Sequence, residues 1–363
     1  MSLFLNSISV FQFKNYSHQE FCFTERIIGI CGPNGVGKTN LLDAVHYLCF
    51  TKSYFTRQDG LVMQHGQQGF RIEGEFVLHD AKEQAICVVR ETGKKEFSIN
   101  DDFYTKFSKH IGRYPCVVIA PDDVQLIIGS SEERRKFVDT LLSQLDPVYL
   151  QSLIKYTKVL QQRNSFLKND QERHSNRDLS VLDVLDLQLA KEADYLFEKR
   201  QEFSLRFLPV VKQLYNEIAQ QYEDINLYYE SELQTASTAD ILRKNRNRDV
   251  MLQRTSSGIH RDDISFNLAQ QSFKNIASQG QRKSLLFALK LAEMEVLKQE
   301  KHLSPILLLD DVFEKLDDSR IHNLLLRVCT QNDGQIFITD TSCERLEVSL
   351  LKLNEAFQLI RLP

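Results

Sequence analysis

The chain has 363 residues, of which 42% are hydrophobic and 26% charged, with a formal net charge of -4. That supplies apolar material for one large or two medium globular domains and excludes a globally basic nucleic-acid coat protein. No apolar run reaches the roughly 18 residues of a membrane-spanning helix, and the N-terminus lacks the features of a secretory signal, so a cytoplasmic location and no membrane partner are expected. The seven cysteines (Cys22, Cys31, Cys49, Cys87, Cys116, Cys329 and Cys343) are odd in number and nowhere spaced Cys-x-x-Cys. They read as reduced core thiols.

In chain order, residues 3–13 are rich in β-branched and aromatic types, and residues 26–31 form an apolar run into a glycine-rich loop. This predicts strand, loop and helix in succession, with Leu41, Leu42, Val45, Leu48 and Cys49 on one helical face. Alternating stretches within residues 70–100 predict antiparallel strands, and residues 114–120 a buried strand. From residue 130 the texture becomes helical. Ser130 to Glu133 has the form of a capping box, and Asp146 followed by Pro147 that of an N-cap and first helical residue. Leu150, Leu153, Thr157, Leu160, Asn164 and Leu167 keep a three/four spacing, as do Leu182, Leu185, Leu189, Ala193 and Leu196 beyond a polar gap at residues 168–178. Two long helices turning back on one another are predicted, the second kinked or interrupted at Pro209. Strand texture returns near residues 225–229 and 263–266. A helix over 281–298, a strand over 305–309, a further helix and a strand over 335–339 follow.

Chemistry is concentrated at three places. Gly32, Pro33, Asn34, Gly35, Val36, Gly37, Lys38, Thr39 and Asn40 match the phosphate-binding loop at every fixed position. Glycines let backbone N–H groups close on phosphates, Lys38 reaches the β/γ oxygens and Thr39 ligates Mg2+. Asp310 and Asp311 end an apolar run, which puts carboxylates at the C-terminal end of a buried strand, where doubly wound sheets place ligands. Asp310 is expected on the metal and Asp311 beside the attacking water. Ser278, Gly280 and Gln281 form a small polar turn at a helix N-terminus, a second anion site. One domain with two phosphate sites is explained economically if this turn closes on a nucleotide held by another copy, giving an ATP-dependent homodimer.

Elsewhere, Arg243, Lys244, Arg246, Arg248 and Arg254 make the densest basic run, readable as a DNA contact or as a solvated loop. Arg134 and Arg135 read as a solvated helix face. The crowded turn Gly258 to Asp263 reads as structural or as part of a dimer interface; its His and Asp residues are poor evidence for a metal site.

The ordered set of phosphate loop, Ser-x-Gly-Gln turn, acidic strand and Lys315-Leu316-Asp317 resembles the ABC-type ATPase heads of Rad50 and SMC proteins. Within that group the chain resembles the RecF family most, through Arg134-Arg135-x-Phe137-x-Asp139, Gln161-Gln-Arg163-Asn164, Gly258-Ile-His260-Arg261-Asp262-Asp263 and Ala288 to Glu293. The resemblance implies an α/β P-loop ATPase head with an inserted helical arm: head pieces at 1–125 and 225–363, arm at 126–224. It implies ATP and Mg2+ as cofactors, Lys38 and Asp311 in catalysis, and Thr39 and Asp310 on the metal. Ser278, Gly280 and Gln281 would act in trans, and Thr339 and Asp340 would stand at the switch position. It further implies slow hydrolysis, duplex and gapped DNA as ligands, and RecR, RecO and RecA as partners. Ser53-Tyr54-Phe55-Thr56 departs from the family's Ser-Phe-Arg-Thr, which leaves open whether Arg57 supplies the missing arginine. The alternative is another Rad50/SMC-like ATPase with a nuclease or chromosome-organising partner, against which the short arm and the absence of a hook cysteine pair argue.

Overall fold

The computed structural model describes residues 3–56, 58–169, 180–219, 223–311 and 318–363. Arg57, Lys315, Leu316 and Asp317 lie outside them, as does most of the polar gap. The chain divides into two compact units, residues 1–123 with 287–363, and residues 124–286.

The first unit begins with β1 (Leu3–Phe13), β2 (Tyr16–Cys22), β3 (Ile27–Cys31) and α1 (Lys38–Phe50), continuing with β4 (Phe70–Leu78), β5 (Ala81–Val89), β6 (Lys95–Ile99), β7 (Asp102–Phe103) and β8 (Cys116–Ile119). The second contains α2 (Gln125–Ile128), α3 (Ser131–Leu145), α4 (Pro147–Asn169), α5 (Ser180–Ala219), β9 (Ile225–Glu230), α6 (Thr238–Leu252), β10 (Asp263–Leu268), β11 (Gln271–Ser272) and α7 (Phe273–Ile276). The division falls inside α8 (Gln279–Lys301), after which the first unit resumes with β12 (Ile306–Leu309), α9 (Asp318–Thr330), β13 (Ile336–Asp340), α10 (Cys343–Leu351) and β14 (Phe357–Arg361).

Two sheets build the first unit. Strands β2-β1-β4-β5-β6-β7 form an antiparallel sheet, and β14-β3-β13-β12-β8 a parallel one. The central strands β3, β13 and β12 and the edge strand β8 are buried at every position, as near-continuous apolar runs in parallel sheets lead one to expect. The single apolar stripe expected of α1 understates its burial: every residue from Leu41 to Phe50 is buried. Gly74 on β4 permits this, since a Cβ there would lie 2.5 Å from Leu48 Cδ1.

The second unit is α4 and α5 packed together with the sheet β11-β10-β9. Of the two outcomes expected at Pro209, interruption does not occur: α5 runs 40 residues through it, and apolar residues on both sides, Phe203, Phe207, Val211 and Leu214, are buried and hold the helix together. Two expectations fail in detail. Ser130 is the N-cap of α3 without a side-chain capping bond. Arg134 is not on a solvated face: it is buried, and its guanidinium meets both oxygens of Asp263 at 2.6 and 2.9 Å.

Candidate nucleotide site

β3 ends at Cys31, and the chain turns at once through Gly32 and Gly37, whose φ values of 154° and 113° favour glycine. Space demands it too: a Cβ on Gly32 would lie 2.7 Å from Leu362 O, and one on Gly37 would lie 2.7 Å from Asn15 Nδ2. The Lys38 ammonium is buried and donates to Gly32 O and Pro33 O, both at 2.8 Å. It therefore sits within the curl of the loop, while Pro33, Asn34 and Gly35 are exposed on its rim.

Parallel pairing brings the ends of β12 and β13 to this loop. The Thr39 hydroxyl lies 3.0 Å from both oxygens of Asp310. Thr339 donates to Asp310 Oδ1 at 2.8 Å and accepts from the Asp311 N–H at 2.9 Å. One buried hydroxyl thus ties the first acidic residue to the backbone of the second, which has a positive φ of 47°. Burial pushes the Asp310 carboxyl above its ordinary value, against the two threonine hydroxyls and Lys38, which pull it down. The neighbouring Asp340 is enclosed and held by Arg345, with Nε 2.8 Å from Oδ2. Of the two residues expected at the switch position, Thr339 faces the acidic pair and Asp340 is engaged by α10.

The side chains that support the loop from outside were not foreseen from the sequence. The turn between β1 and β2 props the loop: Asn15 Nδ2 donates to Val36 O at 2.9 Å and Tyr16 hydroxyl to Gly37 O at 3.0 Å. Asn40 directs its amide to Asn15 Oδ1 at 2.7 Å. An Asn in a tight turn between two strand-like runs signals a hairpin, but nothing in its spacing points to the loop. The expectation that every cysteine is a reduced thiol also fails. Cys31 and Cys343, 312 residues apart in the chain, form a disulfide, and the other five are free. The pairing of β3 with β13, which sequence spacing does not show, brings them together.

In the second unit, the turn before α8 caps its own helix. Ser278 Oγ accepts from Gln281 N at 3.2 Å, and Gln281 Oε1 accepts from Ser278 N at 2.8 Å. Gln281 Nε2 also reaches Glu223 at 2.9 Å. Ser278 is exposed and Gly280 half-buried. The Gly258 to Asp263 turn is a packing hub. Arg200 donates to Ile259 O at 2.8 Å and Asp262 Oδ2 at 3.0 Å, and Tyr156 hydroxyl meets His260 Nδ1 at 2.8 Å. Arg243 to Arg248 lie in helix α6, not a loop, with Arg254 just beyond its end; Arg246 pairs with Asp183 and Asp186, while Arg243, Lys244, Arg248 and Arg254 are exposed. Among the described residues, no group of three or more His, Cys, Asp or Glu side chains is placed to hold a metal, and no helix is long and apolar enough to cross a membrane.

A phosphate loop and an acidic strand end meeting on a parallel sheet, beside an antiparallel sheet, define the class: an ABC-type P-loop ATPase head. Residues 4–356 match the family model described as the RecF/RecN/SMC N terminal domain. The chain is 41% identical over 358 residues to the DNA replication and repair protein RecF of Flavobacterium johnsoniae, covering 99% of each, and 39% identical to that of Parabacteroides distasonis, covering 99% of this chain and 97% of the relative. It is similar to a solved structure titled as the recombination mediator protein RecF-ATP in the RecFOR pathway, with TM-score 0.86 and 28% identity over 94% of this chain and 92% of that one. An Smc head from Pyrococcus furiosus shares the fold, with TM-score 0.53 and 14% identity over 96% and 92%. The chain belongs to the RecF family of DNA replication and repair proteins.

Proposed function

We propose that this chain is a cytoplasmic recombinational-repair ATPase whose copies dimerise on ATP, hold duplex DNA at single-strand gaps and are reset by slow hydrolysis. The observation that carries this reading is the convergence of Thr39, Asp310, Thr339 and the Asp311 backbone beside the Lys38 loop. Lys38 would engage the β- and γ-phosphate oxygens, with N–H groups of residues 32–40 around them. The hard oxygen donors of Thr39 and Asp310, held in contact at 3.0 Å, fit Mg2+. When bound, the cation would neutralise charge on the phosphates. Asp311 would orient the attacking water, and Thr339 would fix where it stands.

Ser278, Gly280 and Gln281 would complete the site of a second copy, which the exposure of this turn favours. The head would comprise residues 1–125 and 225–363, with the arm at 126–224. Exposed cations of α6, Arg243, Lys244 and Arg248, support a salt-dependent contact with the DNA backbone. RecR, RecO and RecA are the proposed partners. A site completed in trans predicts that the rate of ATP hydrolysis per protomer rises with protein concentration across the dimerisation range. A flat rate counts against the trans-acting turn.

A further inference from the structure

The disulfide lies against the nucleotide site. Cys31 is the residue before Gly32, where the phosphate loop begins, and Cys343 is the first residue of α10. Their Cα atoms are 5.0 Å apart. Between β13 and α10 run only Thr341 and Ser342, so the bond ties the start of the phosphate loop to the segment that directly follows Thr339 and Asp340. Up to this point β3 and β13 are paired, through Thr339 with Ile30 and Asp340 with Cys31; beyond the pairing Gly32 N reaches Asp340 O in a long hydrogen bond of 3.4 Å.

We propose that Cys31 and Cys343 form a thiol–disulfide exchange site through which low-molecular-weight thiols and disulfides set turnover at the adjoining phosphate loop. The proposal rests on the ATPase reading above. The two sulfurs are unequal. Cys31 is fully buried, whereas Cys343 is partly exposed and opens a nine-residue helix, where N–H groups stabilise a thiolate. Cys343 is therefore the sulfur that exchanges, and Cys31 the one that resolves.

In reduction, a small thiolate attacks Cys343 Sγ, the protein S–S bond breaks, and Cys31 leaves as a thiolate and takes a proton. A second small thiolate attacks the small-molecule sulfur of the mixed disulfide, releasing Cys343 and a small disulfide. Two electrons and two protons have passed to the protein; oxidation by a small disulfide is the reverse. In a reducing compartment, disulfides are mostly transient or redox-sensing. With the bond closed, the first residue of α10 is tied to the last residue of β3, beyond the point where the β3–β13 pairing ends, so the β13–α10 connection and the start of a loop that must adjust around arriving and departing phosphates are restrained together.

The test equilibrates the full chain in glutathione buffers of graded thiol-to-disulfide ratio. It measures the fraction of Cys31–Cys343 linked peptide by mass spectrometry, and in parallel the affinity for a fluorescent ATP analogue and the turnover of ATP. The expected result is that linkage titrates with the buffer ratio and turnover falls on the order of fivefold as the bond closes. Cys343→Ser should hold the reduced wild-type value at every ratio, and Cys31→Ala serves the same purpose if the first variant does not fold. The proposal is overturned if the linkage never opens in the folded protein, or if it opens and closes while affinity and turnover stay constant. Absence of nucleotide binding at every ratio would instead overturn the ATPase reading, and the proposed control with it.

Discussion

Replacing Asp310 with alanine is expected to lower ATP turnover by about 100- to 1,000-fold, the loss seen when one charge-stabilising group is removed from a preorganised site. The carboxylate is held from two sides, by Thr39 at 3.0 Å and Thr339 at 2.8 Å. It stands at the open end of a strand whose four residues are all buried, so the sheet does not depend on it. The thermal transition should therefore move little while phosphate release collapses. Thr339→Val makes a finer cut. It keeps the shape but removes both the donor to Asp310 and the acceptor for the Asp311 N–H. Turnover should fall roughly tenfold, about 1.4 kcal/mol of barrier, and Thr339→Ser should restore most of it. Turnover of Asp310→Ala within a few-fold of wild type would remove this residue from the site.

Arg200→Ala is expected to cost the second unit about 3 kcal/mol, because the buried Asp262 and the half-buried Asp139 lose their counter-charge together. The Arg200 side chain is 4% exposed and pairs with Asp139 at 2.8 Å and Asp262 at 3.0 Å. Burial opposes its charge, but Asp139, Tyr149 and Asp262 outweigh that and hold the guanidinium protonated. Asp262 shows the converse: burial pushes it up, and Arg200 pulls it back. Lysine should not rescue, since Arg200 also donates to Ile259 O and uses its planar fork on Asp139. Hydrogen exchange across residues 124–286 reads the loss directly; protection unchanged from wild type would show that this hub is not what holds the unit together.

How far the sequence could be read depended on whether a feature was local. The phosphate loop was legible because its chemistry needs consecutive residues, and Asp310 because a run of aliphatic residues forecasts a buried strand end. Asn15 and Tyr16 were not, since their partners are carbonyls of a loop that follows a strand of the other sheet. The Cys31–Cys343 bond was hidden for the same reason, being a product of β13 lying beside β3. Arg134 and Arg200 look like helix-face charges in one dimension, and only the position of the Gly258 to Asp263 turn makes them buried partners. At Pro209 the local rule left kink and interruption both open, and buried apolar residues on either side carry the helix through.

The central claim is that nucleotide held by the Lys38 loop drives two copies together on DNA. It is tested most directly by sedimentation of the wild type and Lys38→Ala, with and without ATP, on gapped, duplex and single-stranded DNA. The predicted result is an ATP-dependent shift to a DNA-bound dimer for the wild type, strongest on gapped or duplex DNA, and none for Lys38→Ala. Binding by a monomer, equal with and without ATP and unaffected by the substitution, would contradict it.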